Sequence, residues 1–421
     1  MERVSATYYL EFKSQGRFVE AVRDFFSWAA MGSSRRFDYI DRHTQDSLTG
    51  TIVNIVQDSS NPSAGIVEYE FDDETFEEAD LSLLLSVLLY SSIQGSTNQL
   101  RLLDVKFPGW LWEKMPGPRL GADGISKISG QSRRPMFGVI LKPRQGLTPG
   151  LAADIALAAT QGGADYIIDD EVMVNNPRCR VVDRAKSVIG LCEAAAAKRG
   201  RPILYVINVT SRSSRIYEWI SHIDSIDRHD VQIGLMVNGI FMGFEAIADL
   251  RTQMPNWPLI ANTVGCGMLV LGPQYNMSEH ILVQLSRMAG ADAVYAVRHA
   301  TEYTFDSSKI DTLQNHLGRH GDFAKPAMPI YAGAISLGTI LRQELPVRPE
   351  FMVQAGSTIC AYKQRGVGFP ESVRIATSVM VDALAATYVD GVSGKRLAER
   401  LVKDGTRGIR GVDFGSLGFV R

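Results

Sequence analysis

The sequence predicts an α/β protein: a (β/α)8 TIM barrel preceded by a small α+β, ferredoxin-like domain. Three observations carry that expectation. From Pro135 onward, short apolar segments of strand type recur eight times with helical stretches between most of them. Ahead of about residue 125, strands and helices mix at hairpin-like spacing. Between the two regimes a Pro/Gly-rich passage runs from Pro108 to Gly130 and reads as the boundary. The expected division is therefore 1–125 for the first domain and 126–421 for the barrel.

In the first part, Val4 to Phe12 alternates like a strand and Arg17 to Ala30 has amphipathic helical spacing. Thr49 to Val56 and Ala64 to Phe71 are two further strands, Leu81 to Ser91 an apolar helix, and Leu100 to Phe107 a last strand. The barrel strands are expected at Met136 to Leu141, Tyr166 to Ile168, Ile203 to Val209, Ile233 to Val237, Leu259 to Ala261, Ala293 to Val297, Pro329 to Tyr331 and Phe351 to Gln354. Helices are expected at Asp183 to Lys198, Ile216 to Ile226, Phe244 to Gln253, Glu279 to Met288 and Pro370 to Thr387. An open doubly wound sheet is the alternative. It would rarely need eight parallel strands, and no glycine-rich dinucleotide fingerprint follows the first of them, so no nucleotide cofactor is expected.

Composition narrows the function classes. The chain has 421 residues, is 45% hydrophobic and 21% charged, and carries a formal net charge of −2. No basic stripe points to nucleic acid, and the longest apolar stretch, Leu81 to Tyr90, is too short for a membrane span. Met1-Glu-Arg-Val opens with charge rather than a signal-peptide core, so a cytoplasmic location is expected. Cys179, Cys192, Cys266 and Cys360 lack metal or disulfide spacing, and His299, His316 and His320 read as lone histidines. Arg133-Arg134 and the run Lys395 to Arg407 read as solvated faces, and the glycine-rich tail from Gly408 as a cover for a barrel end or a dimer.

The chemistry concentrates at the ends of the first two barrel strands. Met136 to Leu141 stops at Lys142-Pro143-Arg144, and Tyr166 to Ile168 stops at Asp169-Asp170-Glu171. The helix-periodic stretch Leu151 to Thr160 between them makes a βαβ unit, whose strands are parallel and whose loaded ends share one edge. Lys142 is thus expected to face Asp170 and Glu171. A lysine there can move a proton to or from a carbon beside a carbonyl, or hold the charge of the resulting enolate. Later strand ends supply Asn208, Asn238 and Asn262, then Gly333, and finally Gly356-Ser357-Thr358. Glycines and small hydroxyls after the last two strands suit a phosphate.

Two of these segments resemble the RuBisCO large subunit. Gly138-Val-Ile-Leu-Lys142-Pro143-Arg144-Gln-Gly146-Leu147 is similar to that family's G-x-x-x-K-P-K-x-G-L segment. Gly162-Gly-Ala-Asp-Tyr-Ile-Ile168-Asp169-Asp170-Glu171 is similar to G-G-x-D-x-x-K-D-D-E. The order of domains agrees, so the resemblance spans nearly the whole chain. It implies enolate chemistry on a phosphorylated sugar-like substrate; the strand ends offer Arg144, Asn208, Asn238, Asn262, Gly333, Gly356, Ser357 and Thr358 as the expected substrate- or phosphate-binding residues. It also implies a homodimer with shared active sites. Asp46, just ahead of Ser47-Leu-Thr49-Gly50-Thr51, resembles part of the segment that family members insert into a neighbouring subunit's site; an exposed turn acid is the plainer alternative.

The departures argue against carbon fixation. The residue matching Ile168 is, in the family, a lysine whose carbamate binds Mg2+ together with the acids matching Asp170 and Glu171. Isoleucine forms no carbamate, and a hard cation loses an anionic oxygen. Any Mg2+ on Asp170 and Glu171 is therefore expected to be weak or substrate-dependent. Arg144 replaces the second lysine and cannot serve as a base. Asn262 and Thr263 stand where carboxylases carry His-Arg, and Tyr295 matches a histidine. No counterpart to the mobile-loop lysine is found in Arg298 to Glu302. Ala332, Gly333 and Ala334 replace a serine and two glycines. The chain is identified as a member of the RuBisCO-like branch, form IV. The expected activity is a lyase, foremost a decarboxylase, or an isomerase acting on a phosphorylated keto sugar or sugar acid, with Lys142, Asp170, Glu171 and Asp46 as catalytic residues. The alternatives are a keto-enol isomerase or hydrolase of the same superfamily, a catalytically silent sugar-phosphate binder, and a carboxylase with a relocated base.

Overall fold

The computed structural model describes residues 2–13, 17–33, 35, 37–77, 80–90, 96–296, 307–318, 324–404 and 415–417. Arg298, His299, Glu302, His320 and most of the tail from Gly408 lie outside the described residues. No helix among the described residues is long and apolar enough to cross a membrane.

Strand β1 (Ser5–Phe12) alternates because one face meets a core: Ala6, Tyr8, Leu10 and Phe12 are buried. The helix Phe18–Met31 lays Phe18, Val22, Phe25 and Phe26 into that core, and Gly32, in the left-handed region, ends it. β2 (Thr51–Gln57), β3 (Ala64–Glu70), the helix Leu81–Leu89 and β4 (Thr97–Lys106) complete a βαββαβ unit. Its sheet runs β4-β1-β3-β2, antiparallel throughout, which is the ferredoxin-like order.

The closed barrel consists of β5 (Met136–Ile140), β6 (Tyr166–Ile168), β7 (Ile203–Asn208), β8 (Val231–Asn238) and β9 (Leu259–Asn262). It continues, after a short strand β10 (Tyr275–Met277), with β11 (Ala293–Tyr295), β12 (Met328–Tyr331) and β13 (Met352–Ala355). All eight barrel pairings are parallel. Alternate residues fill the interior: Met136, Ile140, Tyr166, Ile168, Leu204, Val206, Met236, Ile260, Tyr295 and Ile330 form one buried cluster. Their neighbours, such as Phe137, Val139 and Ile167, face the surrounding helices. Gly138 is required here, because a Cβ on it would lie 2.2 Å from the Tyr166 ring.

The structure corrects or adds to the sequence reading at four points. The passage from Pro108 to Gly130 is not a bare linker, for it holds the helices Gly109–Lys114 and Gly121–Ser129. Pro108 precedes the first, and Gly130, at φ 65°, closes the second. Ile125 of that second helix joins the barrel-interior cluster. Second, β10 leaves the barrel region and pairs in parallel with β4, a three-residue strand too short to show a period. Third, Arg134 is no solvated cation. It is buried, bonded to Asp165 at 2.6 Å, with Arg201 on the other carboxylate oxygen at 2.7 Å. Fourth, His316 is not alone: its ring stacks on His280 at 4.3 Å.

Candidate active site

The register of β5 and β6 builds the centre of the site. Ile140 and Ile168 are register partners and both point into the barrel. Two residues further along each strand, the same inward direction delivers Lys142 and Asp170 to the C-terminal mouth. The Lys142 ammonium donates to the Asp170 carboxylate, Oδ2, while the other oxygen, Oδ1, accepts the Val172 N–H at 3.0 Å. Asp170 is buried and the Lys142 side chain partly exposed. Gly356 lies along the lysine stem, where a Cβ would come within 3.0 Å of Cε and 3.1 Å of Cγ. Cys360 donates to the Ile140 carbonyl at 3.4 Å, and burial pushes its thiol up to about 11, which leaves it a structural thiol.

The three consecutive acids take three directions. Asp169 points out of the barrel and is fully buried. Arg184 grips it through Nε at 3.0 Å and Nη2 at 2.7 Å, and Tyr205 and the Asn208 N–H complete its bonds. It is an anchor. Asp170 faces Lys142. Glu171 sits beside both, and burial, then the Asp170 charge, pushes its carboxyl up, against the opposing pull of Lys142 and of a hydrogen bond from Tyr295.

Behind Glu171 stands a buried polar relay that the sequence reading left out. Tyr166 donates to the Gln354 side-chain oxygen at 3.1 Å, and Gln354 Nε2 donates to the Tyr295 hydroxyl at 2.5 Å. Tyr295 in turn acts on the Glu171 carboxyl, drawing it down against the effect of burial. The available signal was Gln354 itself, a polar residue closing an apolar strand.

The other expected site residues divide. Asn208 donates to the carbonyls of Asp170 at 3.0 Å and Glu171 at 2.8 Å, and its oxygen accepts the Thr210 N–H. Asn238 caps Ile240 and Phe241 and donates to the Val264 carbonyl. Both are therefore braces within the chain. Asn262 is fully buried, and its amide nitrogen has no acceptor among the described residues. Thr358 donates to the Ile335 carbonyl at 2.8 Å, while Ser357 and Gly333 are exposed at the mouth. Leu417 of the tail is buried in contact with the helix Ser357–Cys360 at this same end. Asp46 lies on the helix Arg42–Leu48, exposed and 3.9 Å from Arg42. Arg144 is exposed and makes no hydrogen bond or ion pair among the described residues; with Gln145 and residues 172–176 it lines a cleft of about 350 Å³.

The donors do not fit a preformed Mg2+ centre. An ammonium already occupies the Asp170 carboxylate, Ile168 is sealed in the barrel interior, and burial favours the neutral form of Glu171.

Comparison with known proteins gives the class. The model of the ribulose bisphosphate carboxylase large chain, catalytic domain, matches residues 123–316. The chain is similar to a ribulose bisphosphate carboxylase-like protein of Archaeoglobus fulgidus, 26% identical over 72% of this chain and 69% of the relative. It is also similar to a 3-oxo-isoapionate-4-phosphate transcarboxylase/hydrolase of Xanthobacter autotrophicus, 26% identical over 70% of this chain and 72% of the relative. The octameric RuBisCO of Pyrococcus horikoshii OT3, solved with sulfate, superposes with a TM-score of 0.82 at 20% identity, covering 94% of this chain and 90% of that one. Over its catalytic-domain region the chain is similar to the RuBisCO superfamily and, within it, to RuBisCO-like proteins.

Proposed function

We propose that the protein is a lyase that decarboxylates a phosphorylated 3-oxo sugar acid through an enolate, with Lys142 and Glu171 in the reacting positions. The supporting observation is the contrast between two neighbours: a partly exposed Lys142 side chain paired with Asp170, and beside it a Glu171 carboxyl that burial pushes toward its neutral form. When the bond to the carboxylate carbon breaks, its electron pair moves into the ketone, and the enolate oxygen is held by the Lys142 ammonium. CO2 departs, and Glu171 gives its proton to the carbon left behind, regaining one from solvent. Arg144, unpaired beside the cleft, suits the substrate's phosphate. A relative named a 3-oxo-isoapionate-4-phosphate transcarboxylase/hydrolase favours a 3-oxo acid phosphate as the substrate class. Two chains sharing sites, with Asp46 reaching a neighbour's mouth, complete the reading.

A panel of 3-oxo acid phosphates tests it, with CO2 release as the readout. Wild type should turn over at least one of them, and Lys142→Met should lose about 10²-fold or more in kcat. A Lys142→Met protein as active as wild type on every accepted substrate would overturn the assignment. Mixed dimers of Asp46→Asn and Lys142→Met chains should recover activity if sites are shared.

A further inference from the structure

Away from the barrel mouth, three elements bring one carboxylate and two imidazoles together. Asp104 lies on β4, His280 in the first turn of the helix Glu279–Met288, and His316 in the last turn of the helix Ser307–Gly318. One ligand atom from each can be chosen so that all lie within 4.8 Å of one another. His280 Nε2 is 2.9 Å from Asp104 Oδ1, and the two imidazole rings stack at 4.3 Å with 13° between their planes.

We propose that Asp104, His280 and His316 form a binding site for a divalent transition-metal ion of the zinc class. Two imidazoles with one carboxylate are a borderline donor set, suited to Zn2+, Co2+ or Ni2+ and poorly suited to Mg2+ or Ca2+, which select oxygen. Three protein ligands leave a fourth position for water, and the half-exposed Asp104, at 40% of its side chain, faces the solvent that would supply it. The backbone is already committed on both sides. Asp104 Oδ1 also accepts the Val105 N–H at 2.9 Å, and Arg287 holds the His316 carbonyl at 3.3 Å. Small side-chain rotations, with the helices in place, bring the nitrogens to bonding distance of about 2.0–2.1 Å from a common centre. Because the ligands come from the amino-terminal sheet and from two barrel helices, the ion cross-links the two parts of the chain. Binding to the folded state alone raises the melting temperature. None of the three residues belongs to the proposed reaction, so the two readings stand or fall separately.

The test uses the full chain, stripped by chelation and then titrated with Zn2+, Co2+ or Mg2+. The expected result is one Zn2+ per chain by calorimetry, a visible Co2+ band of a low-coordinate nitrogen and oxygen site, a higher melting temperature with Zn2+, and no effect of Mg2+. His316→Gln should weaken Zn2+ at least tenfold and remove the Co2+ band while leaving CO2 release unchanged. Should His280→Asn fail to fold, His316→Gln and Asp104→Asn decide the matter. Zn2+ uptake by His316→Gln equal to wild type would place the ion elsewhere and overturn the inference. So would a stripped wild type that takes up no Zn2+.

Discussion

Gly356 and Lys142 lie side by side at the ends of the paired strands β13 and β5: a methyl group on the glycine would press on the lysine stem at 3.0 Å and 3.1 Å. The backbone at residue 356 thus sets where the ammonium of residue 142 can lie. Gly356→Ala should displace the ammonium from Asp170, lowering kcat about tenfold or more with little change in melting temperature, since the stem can swing into the open side. Enzyme assay beside thermal melting checks this. Equal kcat in the variant would mean that the lysine is not held by this contact.

Glu171 gives a pH signature. Its folded carboxyl titrates above the ordinary 4.5, so the folded chain binds more protons than the unfolded one in the window just above that value. The stabilising term is complete below 4.5 and is lost as pH rises through the raised folded value. Glu171→Gln should therefore unfold like wild type in acid and resist denaturant better than wild type near neutrality. It should also abolish the basic limb of the kcat profile. Parallel stability curves for the two proteins at all pH values would contradict the raised carboxyl.

Asn208 carries two carbonyls on one amide, those of Asp170 and Glu171. Asn208→Ala leaves both without that donor and should cost about 1–3 kcal/mol of stability. Because the carbonyls belong to the residues that face the substrate, kcat should fall more than KM rises. Denaturant unfolding and steady-state kinetics separate this from a role in direct binding, where KM would take most of the change.

Magnesium should bind the free protein weakly. Calorimetry of substrate-free chain with Mg2+ should show no tight site, because the ammonium of Lys142 already neutralises Asp170 and the carbamate oxygen is missing at Ile168. A high-affinity, stoichiometric site abolished by Asp170→Asn would reverse this reading.

The relay behind Glu171 yields a last expectation. Gln354→Leu removes the donor to Tyr295 and the acceptor of Tyr166, both buried. Destabilisation of about 1–3 kcal/mol should accompany a shift in the pH profile that Glu171 controls. A profile that does not move would confine Gln354 to a packing role.

The sequence by itself determined the barrel, the order of its eight strands and the meeting of Lys142 with Asp170. Each of these depends on local period: apolar runs of strand length, helices of 3.6 period between them, and alternation along β5 and β6 that repeats every two residues. Only the tertiary structure decided which of three adjacent acids does what. The sequence set Asp170 and Glu171 opposite Lys142, but only the closed chain shows that Arg184 anchors Asp169, that Lys142 bonds Asp170 alone, and that burial raises the Glu171 carboxyl. The same holds for Asn208 and Asn238, whose amides close onto the backbone of neighbouring loops. It holds again for His280 and His316, which share no spacing yet stack beside a carboxylate from the amino-terminal sheet. Short-range periodicity is written in the order of residues, whereas a partner distant in sequence is supplied only when the chain has closed.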